Sequence, residues 1–116
     1  MAVDQIALMV PEPRFREGSA FTATAHFRTR ATSAATTPTT IHYRLDCLTT
    51  CTELADWTSV SASTNVSIAI TATHNSIQSN GNARERKQLS VMTNMDLPTQ
   101  CREAVSWIVE NLYGSP

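Results

Sequence analysis

The alternation of apolar and polar residues between residues 39 and 71 constrains the fold of this chain more than any other feature. Ile41, Tyr43 and Leu45 share one face of this segment, while His42 and Arg44 fall on the other face. A period of two residues is typical of a half-buried β-strand and differs from the helical period of about 3.6 residues. The alternation returns after a turn rich in Ser, Thr and Asn. The pattern predicts a β-sandwich.

Similar short segments along the rest of the chain predict about seven antiparallel strands, which we place at residues 6–10, 21–28, 40–48, 57–60, 66–71, 85–93 and 102–112. Residues 14–19 are predicted to form a turn. Short strands separated by frequent turn signals are typical of an immunoglobulin-like sandwich with Greek-key connections. In the last segment Ala104, Ile108 and Leu112 also match a helical spacing, so a C-terminal helix remains an alternative to the favoured strand.

The inward positions of these strands define a predicted core. Its members are the large apolar residues at alternate positions: Phe21, Phe27, Tyr43, Leu45, Ile68, Ile70, Leu89, Val91 and Trp107. The same alternation places Thr22, Thr24, Arg44 and Arg86 outside.

Length, net charge and the distribution of apolar residues limit the classes of function that this chain can have. The 116 residues predict one domain over residues 1–116 with extended termini, and the net charge of -1 provides no basic stripe for nucleic acid. No segment approaches the roughly 20 apolar residues of a membrane-spanning helix. Residues 1–4 lack the features of a signal peptide, so we expect synthesis in the cytoplasm.

The cysteines and carboxylates predict no metal site. Three cysteines are an odd number, and we expect small, mostly buried, reduced thiols, with a Cys47–Cys51 bridge as an alternative. Zinc would need a fourth ligand, and the nearby His42 lies on the face opposite Cys47. The acidic residues Asp46, Glu53 and Asp56 cluster in the sequence without the glycine of a calcium loop, which favours a solvated surface.

The sequence also predicts no catalytic residue and no cofactor. Of the three histidines, His26 and His42 fall on solvent faces of predicted strands, and His74 lies in a polar loop where a role in the turn is favoured. The glycines stand singly and form no phosphate-binding loop.

Aromatic, basic and loop residues remain as candidates for binding. Trp107 is predicted to lie in the core; for Trp57 burial is favoured, and if exposed it would be the best interface anchor. A solvated outer face is the favoured interpretation of the arginines Arg28, Arg44, Arg84 and Arg86. We predict that the contact surface consists of the polar loops at residues 29–40 and 73–82 and of the two termini.

Four segments resemble a group of small structural proteins of tailed bacteriophages. They are EGSAFTATA at 17–25, TTIHYRLDC at 39–47, DWTSV at 56–60 and VSIAIT at 66–71, followed by the loop with Asn75, Ile77 and Gln78. The resemblance covers roughly residues 10–112. It implies an immunoglobulin-like or fibronectin-III-like sandwich on the capsid surface, at the head-to-tail neck or in the tail.

The residues themselves predict a protein without catalytic activity, and the resemblance implies a virion protein, most simply a capsid decoration or surface-display protein present in many copies. Its expected partners are major capsid, neck or tail proteins and copies of itself, with no nucleic acid and no membrane. The alternatives are a neck or tail accessory component, or a module that binds host-surface carbohydrate through Trp57 and the two long loops.

Overall fold

The fold follows from strand alternation over most of the chain. The computed structural model of the protein describes residues 5–29, 34–79, 81–96, 98 and 100–111. These residues form no helix, and so none that could span a membrane. They form eight strands: β1 (Gln5–Met9), β2 (Arg14–Arg16), β3 (Phe21–Arg28), β4 (Ile41–Cys47), β5 (Thr52–Val60), β6 (Asn65–Ile70), β7 (Arg84–Thr93) and β8 (Cys101–Glu110). The predicted all-β class is confirmed.

The strands form two sheets that pack face to face. The smaller sheet has the order β1-β3-β6 and the larger sheet the order β2-β8-β7-β4-β5. The chain crosses between the sheets after β1, β2, β3, β5 and β6, so strands that are distant in sequence become neighbours. This is the Greek-key arrangement of an immunoglobulin-like sandwich, as the turn spacing predicts.

The first part of the chain departs from the prediction because it divides between the two sheets. The residues predicted as a turn contain β2, which pairs with β8 in parallel, so the sandwich has eight strands and is not wholly antiparallel. Pro11 and Pro13 cannot donate backbone hydrogen bonds, and they end the pairing of β1 with β3. The Pro13 carbonyl then accepts a hydrogen bond from the Ile108 amide at 2.9 Å, which attaches the chain to the larger sheet.

Two other strand boundaries test the sequence pattern. The predicted start of a strand at Trp57 is wrong, because β5 begins at Thr52 and pairs with β4 through two register shifts. Such shifts interrupt the alternation on which the prediction relied. The C-terminal segment is a strand and not a helix, since β8 pairs with β7 over ten residues.

The interior matches most of the predicted core. Phe27, Leu45, Ile68, Ile70, Leu89, Val91 and Trp107 are buried. Phe21 and Tyr43 are instead half-buried, because they pack against the margin of the core. Phe21 stacks on Phe15 with ring centroids 4.2 Å apart and meets the edge of Trp107 at 5.2 Å. Of the residues predicted outside, Thr22 and Arg86 are exposed, while Thr24 and Arg44 are partly covered.

Truncation of the two largest buried aromatic side chains tests this core. We expect Phe27→Ala and Trp107→Ala each to lower the free energy of unfolding by about 3 to 5 kcal/mol, because each leaves a cavity between the sheets. The control Thr22→Ala, at an exposed position of the same strand as Phe27, should change it by less than about 0.5 kcal/mol. Urea unfolding measures all three, and unchanged stability in both aromatic variants would mean that the inward and outward faces are exchanged.

Candidate functional site

A buried ion pair lies at one end of the sandwich. Glu85 and Lys87 have the same alternation as the core residues Leu89 and Val91 on β7, and their side chains are both 0 % exposed. Lys87 Nζ lies 3.0 Å from Glu85 Oε1. Neither residue is among the core residues predicted from the sequence. Both lie an even number of residues from Leu89, however, and this spacing places them on the same inward face of β7.

The Glu85 carboxylate accepts hydrogen bonds from the loop that joins β6 to β7. The backbone amides of Gln78 and Ser79 donate to it at 2.7 and 2.9 Å, and the Asn82 side-chain amide donates at 2.8 Å. The Cys47 thiol also approaches Oε1 at 3.6 Å. Burial acts to raise the Glu85 pKa, but the hydrogen bonds and Lys87 outweigh it and lower the pKa from 4.5 to about 2. Glu85 is therefore ionised at neutral pH.

Two further contacts fasten the same loop to the sandwich. Lys87 Nζ donates to the Ser76 carbonyl at 2.8 Å. The fully buried Asn75 side chain donates to the Ser19 carbonyl at 2.7 Å and accepts a hydrogen bond from Trp107 Nε1 at 2.8 Å. Asn75 therefore belongs to the interior, although it lies in a loop predicted as a contact surface, because its side-chain amide is satisfied by hydrogen bonds. We call Asn75, Glu85, Lys87 and Trp107 the polar cluster.

The two predicted contact loops lie at opposite ends of the sandwich. The connection from β3 to β4 leaves from Arg28, which pairs with Gln5 near the N-terminus. The connection from β6 to β7 reaches Arg84, which pairs with Glu110 near the C-terminus. Each end therefore has one long loop and one terminal region, and the two loops cannot form a single surface. Residues 30–33 and 80, within these loops, lie outside the described residues.

Trp57 lies on the outer face of the larger sheet rather than in the core. The guanidinium carbon of Arg102 lies 5.1 Å from the centre of its ring. Because β4 and β7 separate β5 from β8, and neighbouring strands are about 4.8 Å apart, this contact spans two strands. Ser90 and Met92 belong to the same outer face and are nevertheless buried. Trp57 is half-buried, and the guanidinium covers part of the ring that a sugar would need.

His42 lies in the same outer row, directly opposite Met92. Its Nδ1 atom is buried and has no hydrogen-bond partner among the described residues. His42 and Cys47 lie on opposite faces of β4, as the sequence predicts, so their side chains do not converge on one metal ion.

The acidic side chains near β4 and β5 converge on an arginine. Arg44 lies 3.0 Å from Asp46, 3.4 Å from Glu53 and 3.6 Å from Asp56. The hydrogen bond to Asp46, reinforced by the three negative charges, raises the Arg44 pKa. The described residues contain no group of three or more His, Cys, Asp or Glu side chains suited to a metal ion. The Arg44 guanidinium thus lies among the three carboxylates that were considered as calcium ligands.

The other two histidines have local partners. His74 accepts a hydrogen bond at Nδ1 from the Thr71 amide at 3.1 Å, and burial lowers its pKa. His26 Nδ1 contacts Asn65 Oδ1 across the outer face of the smaller sheet. Neither contact pairs a histidine with a Ser, Cys or Asp side chain.

The remaining cysteine and arginine candidates are dispersed. Cys47 is buried, Cys51 is exposed in the turn after β4, and Cys101 packs at the margin of the core. The Cys51 thiol is 3.8 Å from the Leu48 carbonyl and forms no bridge to Cys47. Arg44, Arg84 and Arg86 share the outer face of the larger sheet, whereas Arg28 belongs to the smaller sheet.

Comparison with family models, curated proteins and solved structures finds no match for this chain. The polar cluster fixes a loop, and the outer face of the larger sheet is occupied by its own ion pairs and by the Trp57–Arg102 contact.

The Glu85 pKa predicts a particular dependence of stability on acid. A carboxylate with a lowered pKa contributes stability above its ordinary value of 4.5 and loses it as the pH falls towards about 2. We expect this loss to amount to about 3 kcal/mol and to be absent in Glu85→Gln. Glu53→Gln, which removes an exposed carboxylate, should retain it.

Urea unfolding between pH 2 and 7 measures this difference, and an NMR titration of the Glu85 carboxyl carbon measures the pKa directly. A Glu85 midpoint near 4.5, or identical acid sensitivity in Glu85→Gln and the unmodified protein, would contradict the assignment.

Proposed function

We propose that this protein is a non-enzymatic structural component of a tailed-bacteriophage virion, most simply a capsid decoration or surface-display protein present in many copies. Its proposed partners are major capsid, neck or tail proteins and further copies of itself. The virion location has the sequence resemblance as its support. The capacity to bind proteins has independent support in the charge distribution of the two sheets.

The observation that carries this proposal is the difference between the two outer faces. The larger sheet has Arg44, Asp46 and Glu53 on its outer side, along with further charged residues on β7 and β8. Across all three strands of the smaller sheet, the outward positions hold one formal charge, at Arg28. Its other members are Gln5, Ala7, Met9, Thr22, Thr24, His26, Asn65, Ser67 and Ala69. We call this surface the neutral face.

A face with one formal charge among mostly uncharged side chains can lie against another protein at little cost in desolvated charge. Met9, which is 52 % exposed, adds an apolar contact at its margin. The loops first predicted as the contact are in part held by their own hydrogen bonds, as at Asn75 and at Thr39, whose amide donates to Asn94 Oδ1 at 2.8 Å. We therefore propose the neutral face as the principal contact, with the loops as secondary contacts at the two ends.

The alternative function is a module that binds host-surface carbohydrate. The half-buried Trp57 favours it, because an accessible indole can stack on a sugar. The position of Arg102 over the ring counts against it. Glycan binding that disappears in Trp57→Ala would favour this alternative over the virion protein.

The proposed contact can be tested with purified particles of the encoding phage. We expect the protein to co-sediment with them in a fixed stoichiometry, and Thr24→Lys to weaken binding by about tenfold or more by placing a charge in the neutral face. The matched control Thr58→Lys adds the same charge to an exposed position of the larger sheet and should bind normally. No binding to particles, or equal weakening by both variants, would contradict the proposal.

A further inference from the structure

The edges of the two sheets differ in how well they are protected from pairing with another strand. Natural proteins protect open edges with charges, prolines, bulges or very short strands. The edge strand β5 has two register shifts and carries Glu53 and Asp56. On the other side of the sandwich, β1 is followed by Pro11 and Pro13, and β2 has only three residues.

The remaining edge strand, β6, has none of these protections. Its sequence NVSIAI contains no charge, proline or glycine. It pairs with β3 in an unbroken register from Asn65 to Ile70, without a bulge. Regular edges without a charge, a proline or a bulge are those that pair with additional strands.

The hydrogen-bond parity of β6 shows which backbone groups face the open side. The Phe27 amide donates to the Thr64 carbonyl at 2.9 Å. In an antiparallel ladder, hydrogen-bonded pairs alternate with pairs that are not bonded to each other. Val66, Ile68 and Ile70 therefore direct their amides and carbonyls towards β3. Those of residues 65, 67 and 69 point away from it.

The three residues whose backbone groups face the open side are Asn65, Ser67 and Ala69. All three have small side chains, are exposed and belong to the neutral face. The Asn65 amide has a long local contact with Ser63 Oγ at 3.4 Å. The amides of Ser67 and Ala69 point away from β3 and both residues are exposed, so these two amides are placed to pair with a neighbouring strand.

We propose that β6 pairs in antiparallel orientation with β6 of a second copy of this chain. A two-fold axis passes beside Ser67, so that Ser67 lies opposite the partner's Ser67 and Asn65 opposite the partner's Ala69. Each outward amide then meets an outward carbonyl of the other copy. The two smaller sheets join into one six-stranded sheet with the order β1-β3-β6-β6-β3-β1.

Symmetry and charge favour a second copy as the occupant. A two-fold contact brings identical residues together at its centre, so a charge there would face itself. The pairs Ser67 with Ser67 and Asn65 with Ala69 contain no charge and no bulky side chain. A second copy also supplies an open, uncharged edge of the same length and the same hydrogen-bond spacing.

This pairing rests on the proposed function, which supplies the presence of many copies. It adds to that function by identifying how two copies contact each other. The contact through one pair of strands is small, so it should be weak in solution and strengthened where copies are concentrated. Its geometry depends only on the strand edges, so it can be tested without virus particles.

Sedimentation equilibrium of the full purified chain tests the pairing. From about 10 µM to about 1 mM, we expect the average mass to rise from 12.7 kDa towards twice that value. Ser67→Lys should raise the dissociation constant by about tenfold or more, because it places two ammonium groups opposite each other. The matched control Ser59→Lys, on the open edge of β5, should associate like the unmodified protein.

Circular dichroism establishes that both variants are folded, and amide hydrogen exchange provides a readout without substitutions. The Ser67 and Ala69 amides should exchange more slowly at about 1 mM than at about 10 µM, while the Ser59 amide should not change. A monomer over the whole range, equal association of Ser67→Lys and the unmodified protein, or unchanged exchange at Ser67 would overturn the pairing. Particle binding by a strictly monomeric protein would overturn the pairing alone, whereas a dimer that does not bind particles would contradict only the proposed function.

Discussion

The ionised Glu85 carboxylate buried beside Lys87 is the interaction on which one end of the sandwich depends. A buried charge is tolerated only where a counter-charge and hydrogen bonds replace the lost water. Lys87 supplies the charge, and the amides of Gln78 and Ser79 supply two of the hydrogen bonds. The segment 75–79 of the loop between β6 and β7 is therefore fastened to the core, because without it the carboxylate would be buried and poorly satisfied.

This arrangement determines which surfaces remain for binding. Asn75 joins the same loop to Trp107, so the largest aromatic side chain of the core and the loop are fixed together. The charged outer face of the larger sheet is engaged in its own contacts, from Arg44 with three carboxylates to Arg102 with Trp57. The outward positions of the smaller sheet hold one formal charge, at Arg28, and the β6 edge beside them holds none, which is why both proposals concern the smaller sheet.

The sequence predicts those parts of the structure that depend on local alternation. It gives the sandwich class, most of the core and the strand character of β8, because one buried face imposes a period of two. It misses β2, whose three residues are too few to show a period, and the first half of β5, where bulges interrupt the pattern. Glu85 and Lys87 fall at inward positions of the β7 alternation, but charged residues are expected to be exposed. Their burial depends on hydrogen bonds from a loop whose position the sequence does not reveal. The Trp57–Arg102 contact depends on strand order, which no local pattern contains.

The central claim is that the buried carboxylate holds the loop between β6 and β7 as firmly as the strands themselves. Amide hydrogen exchange of the native protein tests it most directly at Gln78 and Ser79, whose amides donate to Glu85. If the claim is correct, these two amides exchange as slowly as the amide of Leu89 in the core and open only with global unfolding. Rapid exchange at Gln78 and Ser79 while Leu89 remains protected would contradict it.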